Sequence, residues 1–206
     1  MNKPKFIFSI AAFLFVCLLS FTTSFAQTPN KQQSEPSYEV VLQVLIASNT
    51  AADKSVAVPQ TLSNVVKKLK TNYPFSNYRL NLTYLQRIAD TGNIELRSVS
   101  NEPNQDIYAP VFSEFTLGQL QNLPDAKGQN SISIQNFRFG QRVPIKSASY
   151  TTESGKPNSV VNYDQIGLSM RKLNLSENTP TVVGTLSTSK PDELMFVVLT
   201  VKPVEE

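Results

Sequence analysis

The fold is decided by the stretch Tyr38-Glu39-Val40-Val41-Leu42-Gln43-Val44-Leu45-Ile46. Every second residue of this stretch, counted from its first, is apolar or aromatic, which predicts a β-strand with one face buried in a core. Near the other end of the chain, Leu194 to Val201 is apolar at every position except Thr200. A run of this length and composition is typical of a central strand that is covered on both faces.

A helix is predicted between these strands, over residues 60–71. Its apolar residues recur at the i, i+3, i+4, i+7 spacing of an amphipathic helix, namely Leu62, Val65, Val66 and Leu69. Thr61 is the expected N-terminal cap. We interpret three lysines in the last turn as a solvated helix end, where the helix dipole favours cations: Lys67, Lys68 and Lys70.

Two further strands are predicted after the helix. Apolar and polar residues alternate over 78–84, Asp90-Thr91-Gly92-Asn93 has the composition of a hairpin turn, and 94–99 has that of a returning strand. Residues 38–104 are therefore predicted to form a small β-α-β-β module, in which the helix covers one face of the sheet.

The remainder of the chain, residues 105–206, is predicted to be a β-rich module, so the fold class is α+β. Within it we expect a short helical turn over 117–123, a bulge near Asn136 and a long polar loop over 146–159. Whether residues 100–130 join the first or the second module is left open by the sequence.

The composition excludes most enzyme classes. The 206 residues include no histidine and a single cysteine, Cys17. Such a chain has no Ser-His-Asp or Cys-His mechanism, no HExxH zinc site and no intramolecular disulfide. No DxDxDG-type run of acidic residues is present, so the sequence also lacks a calcium-loop pattern. We therefore predict a protein that is not an enzyme and has no metal or cofactor, with a carboxylate pair brought together by folding as the remaining catalytic alternative.

The first 26 residues have the pattern of a secretory signal peptide. Lys3 and Lys5 precede the apolar run Phe6 to Leu19, and Ser24-Phe25-Ala26 supplies small residues before a cleavage site. The apolar run is also long enough for the alternative of an uncleaved membrane anchor.

Cleavage before Gln27 leaves a nearly neutral mature chain. Two of the 19 basic residues leave with the signal, so 17 face 16 acidic residues, and nothing in this charge predicts nucleic-acid binding. Residues 27–37 are predicted to be a disordered leader, because they are rich in Gln and Pro and poor in apolar residues. No membrane span is predicted after removal of the signal.

Four pieces of the second half form an ordered pattern. They are Gly140-Gln141-Arg142-Val143-Pro144, Val161-Asn162-Tyr163-Asp164-Gln165-Ile166-Gly167-Leu168, Pro180-Thr181-Val182-Val183-Gly184-Thr185-Leu186, and the apolar run that continues to Val204. In this order they resemble the G-x-x-[IV]-P strand end, the [VI]-x-Y-x-x-[VI]-G-[IVL] segment, the V-V-[IV]-G-G-L element and the closing strand of the secretin family. Secretins are the outer-membrane ring proteins of bacterial secretion and pilus systems.

The resemblance implies a reduced secretin-like module. Thr185 stands where the family has the second glycine of its G-G pair, and the segment between 168 and 182 is far shorter than the family's. A full pore is therefore not implied. The six residues singled out as an interaction or fold motif are Gly140, Arg142, Pro144, Tyr163, Gly167 and Gly184. For the glycines and the proline, the shaping of turns and bulges is the alternative interpretation.

Two functions follow as hypotheses. The first is a secreted bacterial envelope protein, in the periplasm or at the outer membrane, with a structural or interaction role that involves protein partners or self-association. The alternative is a periplasmic domain that binds a small ligand or a peptide through aromatic side chains. Aromatic residues cluster over 73–84 and 112–139, although at strand spacing such residues also form ordinary cores.

Overall fold

The computed structural model describes residues 35–50, 56–100, 109–124, 128, 130–151, 157–188, 190 and 192–204. The predicted signal (1–26) and residues 27–34 of the predicted leader lie outside these ranges. The elements within them are β1 (Ser37–Ser48), α1 (Ser63–Asn72), β2 (Asn77–Ala89), β3 (Asn93–Ser100), β4 (Val111–Pro124), β5 (Asn130–Thr151), β6 (Pro157–Met170), β7 (Leu173–Ser176), β8 (Thr181–Ser187) and β9 (Glu193–Val204). None of the helices in these ranges has the length and apolarity needed to span a membrane.

The strands form two antiparallel sheets that pack face to face. The first sheet has the order β2-β1-β9-β8, and the second has the order β3-β4-β5-β6, with β7 paired to the start of β5. The main core lies between the sheets, and its largest fully buried side chains include Leu42 and Leu199 from the first sheet and Phe115, Phe137 and Phe139 from the second. The β-rich character predicted for the second half is confirmed, and it extends to most of the described chain.

Helix α1 covers part of the other face of the first sheet. Leu62, Val65 and Leu69 pack against a second apolar cluster that β1 and β9 supply, through Leu45, Ala47, Phe196 and Val198. This second layer explains why β9 is buried on both faces, as its sequence predicts. The helix follows a short 3-10 turn, Gln60–Leu62, and neither has a side-chain cap, so the predicted cap at Thr61 is wrong.

The separate β-α-β-β sheet is not confirmed. β1 and β2 pair in the first sheet, but β3 pairs with β4 of the second sheet. The turn over 90–92 therefore carries the chain from one sheet to the other. β1 is also paired along its whole length with β9, so each sheet contains strands from both predicted modules.

The predicted helical turn over 117–123 is part of strand β4. Leu117 and Leu120 are both buried in the main core although they are three positions apart. Gln119 lies between them with a φ of 53°, and this irregular residue lets both leucines face the same side. The i, i+3 spacing thus arises from an irregular strand.

The predicted polar loop over 146–159 is largely an extension of the β5–β6 hairpin. Ala148 pairs with Val160 and Tyr150 with Asn158, and only residues 152–156 of the predicted loop lie outside the described residues. Tyr150 is 53% exposed and Ile145 is 38% exposed. The side chains of 145, 147–151 and 160, whose burial the structure describes, are all exposed. A strand without a buried face has no need of the apolar–polar alternation that signals a strand in sequence.

Candidate functional site

Five of the six residues singled out from the sequence lie on the paired strands β5 and β6. Gly140 is opposite Gly167, and Pro144 is opposite Tyr163. Since side chains alternate along a strand, these residues and Arg142 share the outer face of the second sheet, away from the main core. The fold thus brings together five of the six residues of the motif predicted from the sequence.

Arg142 lies over two adjacent aromatic rings on this face. Its guanidinium carbon is 5.6 Å from the ring centroid of Phe112 and 5.5 Å from that of Tyr163. The two rings meet edge to face, with their centroids 5.6 Å apart. Within the described residues, Arg142 forms no salt bridge. The exposed guanidinium of Arg142 is therefore oriented by its contacts with the two rings.

The glycine pair makes the sheet surface flat beside this stack. A Cβ on Gly167 would lie 2.7 Å from the carbonyl oxygen of Phe139 and 3.0 Å from the Cα of Gly140, so the two backbones approach too closely for a side chain. At Gly140 itself the nearest atom, the oxygen of Ile166, would be 3.5 Å away, which is an ordinary contact. Of these two glycines, only Gly167 is required by the close approach of the backbones.

A groove of about 370 Å³ runs over this surface. Gly140, Gln141 and Arg142 of β5 line it on one side, and Phe112 and Glu114 of β4 lie beside them. Residues 97–99 of β3, Ser113 of β4 and Gln165 of β6 complete the lining. We call the groove together with the Phe112–Arg142–Tyr163 stack the Arg142 surface.

Val99 adds an exposed apolar side chain to the Arg142 surface. It is opposite Phe112 in the register of β3 and β4, so the two share a face. Val99 is 62% exposed, and no element within the described residues covers it. Arg97, two residues before it, forms a salt bridge of 2.9 Å with Glu95.

Gly184, the sixth selected residue, lies apart from this surface, on β8 of the first sheet. A Cβ on Gly184 would overlap Cδ2 of Leu168 on β6. The absence of a side chain at Gly184 therefore allows the edges of the two sheets to approach, which is a packing role.

Most of the aromatic residues considered for a ligand groove belong to the cores. Phe115, Phe137 and Phe139 are fully buried, and Tyr84 stacks on Phe115 with a centroid distance of 6.1 Å. Phe112 is the exception, at 36% exposure. The sequence contains a signal for it, because Phe112 and Phe115 are three positions apart and so lie on opposite faces of a regular strand.

The described residues contain one close carboxylate pair, Glu35 and Asp90, at the turn between β2 and β3. The hydrogen bond with Glu35 raises the pKa of the Asp90 carboxyl group, whereas the Thr91 hydroxyl, which donates to Glu35, lowers the pKa of Glu35. The pair does not line the Arg142 surface. Among the described residues, no group of three or more acidic, His or Cys side chains is placed to hold a metal ion.

Comparison with known proteins finds a weak structural similarity and no match in sequence. No family model matches the chain, and no curated protein matches it. Among solved structures, it is similar to the InvG secretin domain β-barrel from the Salmonella SPI-1 injectisome NC-base, with 12% sequence identity and a TM-score of 0.31 over 100% of this chain and 69% of that one. This is a weak structural neighbour, and no function follows from it.

In the present structure the four secretin-like pieces are divided between the two sheets. The pieces around Gly140 and Tyr163 are neighbours in the second sheet. The pieces that contain Gly184 and end at Val204 are neighbours in the first.

Proposed function

We propose that the protein is a non-enzymatic protein of the bacterial envelope that binds another protein through the Arg142 surface. The secretory pattern of residues 1–26 and the secretin-like strand pieces support the location. The lack of histidine, together with a single cysteine in the signal, supports a role without catalysis.

The observation that carries the proposal is the Phe112–Arg142–Tyr163 stack, in which Phe112 and Arg142 are exposed and Tyr163 is half-buried. A few residues supply most of the binding energy at protein interfaces, and Arg and Tyr are enriched among them. The ring contacts at 5.5 and 5.6 Å hold the guanidinium in place before a partner arrives, which reduces the entropy lost on binding. Val99 and the flat Gly140–Gly167 floor provide an adjoining surface for close contact.

Size-exclusion chromatography with light scattering, on protein purified after export from a bacterial host, determines the kind of partner. If the wild type is larger than a monomer and the R142A/Y163A variant is a monomer, the surface mediates self-association. A wild-type monomer excludes self-association. A different protein is then the expected partner, and the in-cell cross-linking described at the end of the Discussion tests it.

A second candidate function is the binding of a small anionic ligand, which the groove favours. Its volume of about 370 Å³ lies within the range of ligand pockets, and Arg142 offers a guanidinium without a carboxylate partner in the described residues. A bound ligand raises the unfolding temperature by mass action. A thermal-shift screen of small organic anions therefore tests this function, with R142A expected to abolish any shift and R97A as a second groove variant that keeps the stack.

A further inference from the structure

A second groove lies on the first sheet, between helix α1 and strand β8, and has a volume of about 510 Å³. Its helix wall carries the exposed stripe Asn64, Lys68 and Asn72, at i, i+4 and i+8. Its apolar lining comes from Val65 and Leu69 of the helix and from Val182 of the strand. The groove does not share a residue with the Arg142 surface.

The strand wall of this groove is a sheet edge. Within the described residues, β8 pairs on one side with β9 and is the last strand of the first sheet. The outward backbone N–H and C=O groups of such a strand are a template for a further extended chain. A segment that pairs with the start of β8 would lie next to the groove that Thr181 and Val182 line together with Asn64, Lys68 and Asn72.

The charge around the groove has one sign. Residues 56–77 and 178–190, which include both walls, contain no Asp or Glu, whereas α1 carries three lysines. Lys68 lines the groove and forms no salt bridge within the described residues. Lys67, the preceding residue, is also exposed but does not line the groove.

We propose that this groove binds an extended acidic segment of a partner protein, which adds to the first sheet as a strand beside β8. An apolar side chain of the segment packs against Val65, Leu69 and Val182, and a carboxylate of the segment pairs with Lys68. Edge pairing supplies affinity for an extended backbone, and the lysine supplies the preference for negative charge. The proposal does not depend on the Arg142 surface.

Selection from a library of displayed random heptapeptides on the exported protein tests the proposal. We expect the enriched peptides to combine acidic with apolar residues. A synthetic copy of the most enriched peptide should bind K68E about tenfold more weakly, because one favourable charge contact becomes repulsive. The matched variant K67E changes the same net charge outside the groove and should bind within about twofold of wild type.

Two measurements place the peptide in the groove. N64W, which puts a bulky side chain into the groove from an exposed helix position, should abolish binding without lowering the urea midpoint. Hydrogen exchange should slow at the amides of 181–187 when the peptide is bound. The proposal is overturned if no peptide is enriched, if K67E and K68E weaken binding equally, if N64W binds normally, or if two copies of the protein pair through β8 and leave no free edge.

Discussion

Gly167 lies directly opposite Gly140 in the β5–β6 pair, and a Cβ on Gly167 would be 3.0 Å from the Cα of Gly140 and 2.7 Å from the oxygen of Phe139. G167A should therefore destabilise the fold by about 1–3 kcal/mol, because a methyl group is forced against backbone atoms. Urea denaturation measures the change. G140A is the control: its Cβ meets no atom closer than 3.5 Å, and its free energy of unfolding should stay equal or rise by about 0.5 kcal/mol. Equal losses in both variants would contradict this geometry.

The contact between Gly184 and Leu168 predicts coupling between the two sheets. G184A alone should lower the free energy of unfolding by about 1–2 kcal/mol, because its Cβ overlaps the leucine side chain. In an L168A background the same substitution should have a much smaller effect, since the overlapping atoms are gone. A double-mutant cycle in urea measures the interaction. Additive effects would show that the two residues do not touch.

The burial of Tyr78 predicts that the free energy of unfolding decreases at alkaline pH. Burial raises the pKa of the Tyr78 phenol above its ordinary value of 10.0. The folded protein therefore keeps this proton while the unfolded chain loses it, and stability falls as the pH rises through about 10. Y78F should reduce this fall, seen as a smaller difference between urea midpoints at neutral and alkaline pH.

At neutral pH, Y78F should leave the stability unchanged or slightly higher. The Tyr78 hydroxyl is buried and has no hydrogen-bond partner in the described part of the chain, so its removal breaks no contact there. A loss of more than about 1 kcal/mol at neutral pH would show that the hydroxyl has a partner.

The signal pattern predicts the N-terminus of the exported protein. Mass spectrometry of protein recovered from the periplasm of a bacterial host should find a chain that begins at Gln27. Substituting Ala26 with a bulky residue such as Leu should block cleavage and leave the precursor in the membrane fraction. Full-length protein in the cytoplasm of the wild-type strain would refute export.

The elements that the sequence predicts well are those whose burial pattern is local. β1 and α1 each carry a complete periodicity, and β9 carries a continuous apolar run of strand length. The bulge near Asn136 is predicted by a change of phase between Ile132 and Ile134 on one side and Phe137 and Phe139 on the other. All four side chains are fully buried in one core, and β5 changes partner there from β7 to β6. Such irregularities are visible because the apolar residues change phase within one strand.

The pairing of the strands is not local, and this is where prediction from sequence ends. The turn over 90–92 resembles a hairpin turn, but β2 and β3 bury residues in the same core from two different sheets. In β2, a register shift opposite Val44 and Leu45 moves Tyr78 and Leu80 to the helix side, whereas Leu82 and Tyr84 contact the main core. The regular alternation over 78–84 predicts that all four side chains lie on one face of the strand.

The candidate site divides in the same way. Gly140, Arg142, Tyr163 and Gly167 come together because they lie on one hairpin, and the resemblance selected them as strand pieces. Phe112 lies on a strand that precedes them by about thirty residues, and its contact with Arg142 follows from the β4–β5 register. No short motif contains that contact.

The most direct test of the proposed function is photo-cross-linking in living cells with a photoreactive amino acid at Val99, on the Arg142 surface. Leu85 is the matched control, since it is an apolar strand residue of similar exposure, 59% against 62%, on the first sheet. We expect a discrete cross-linked protein product from position 99 that is absent from position 85 and is lost with R142A/Y163A. Equal labelling at both positions, or a product from position 99 that persists in R142A/Y163A, would contradict a protein-binding role for this surface.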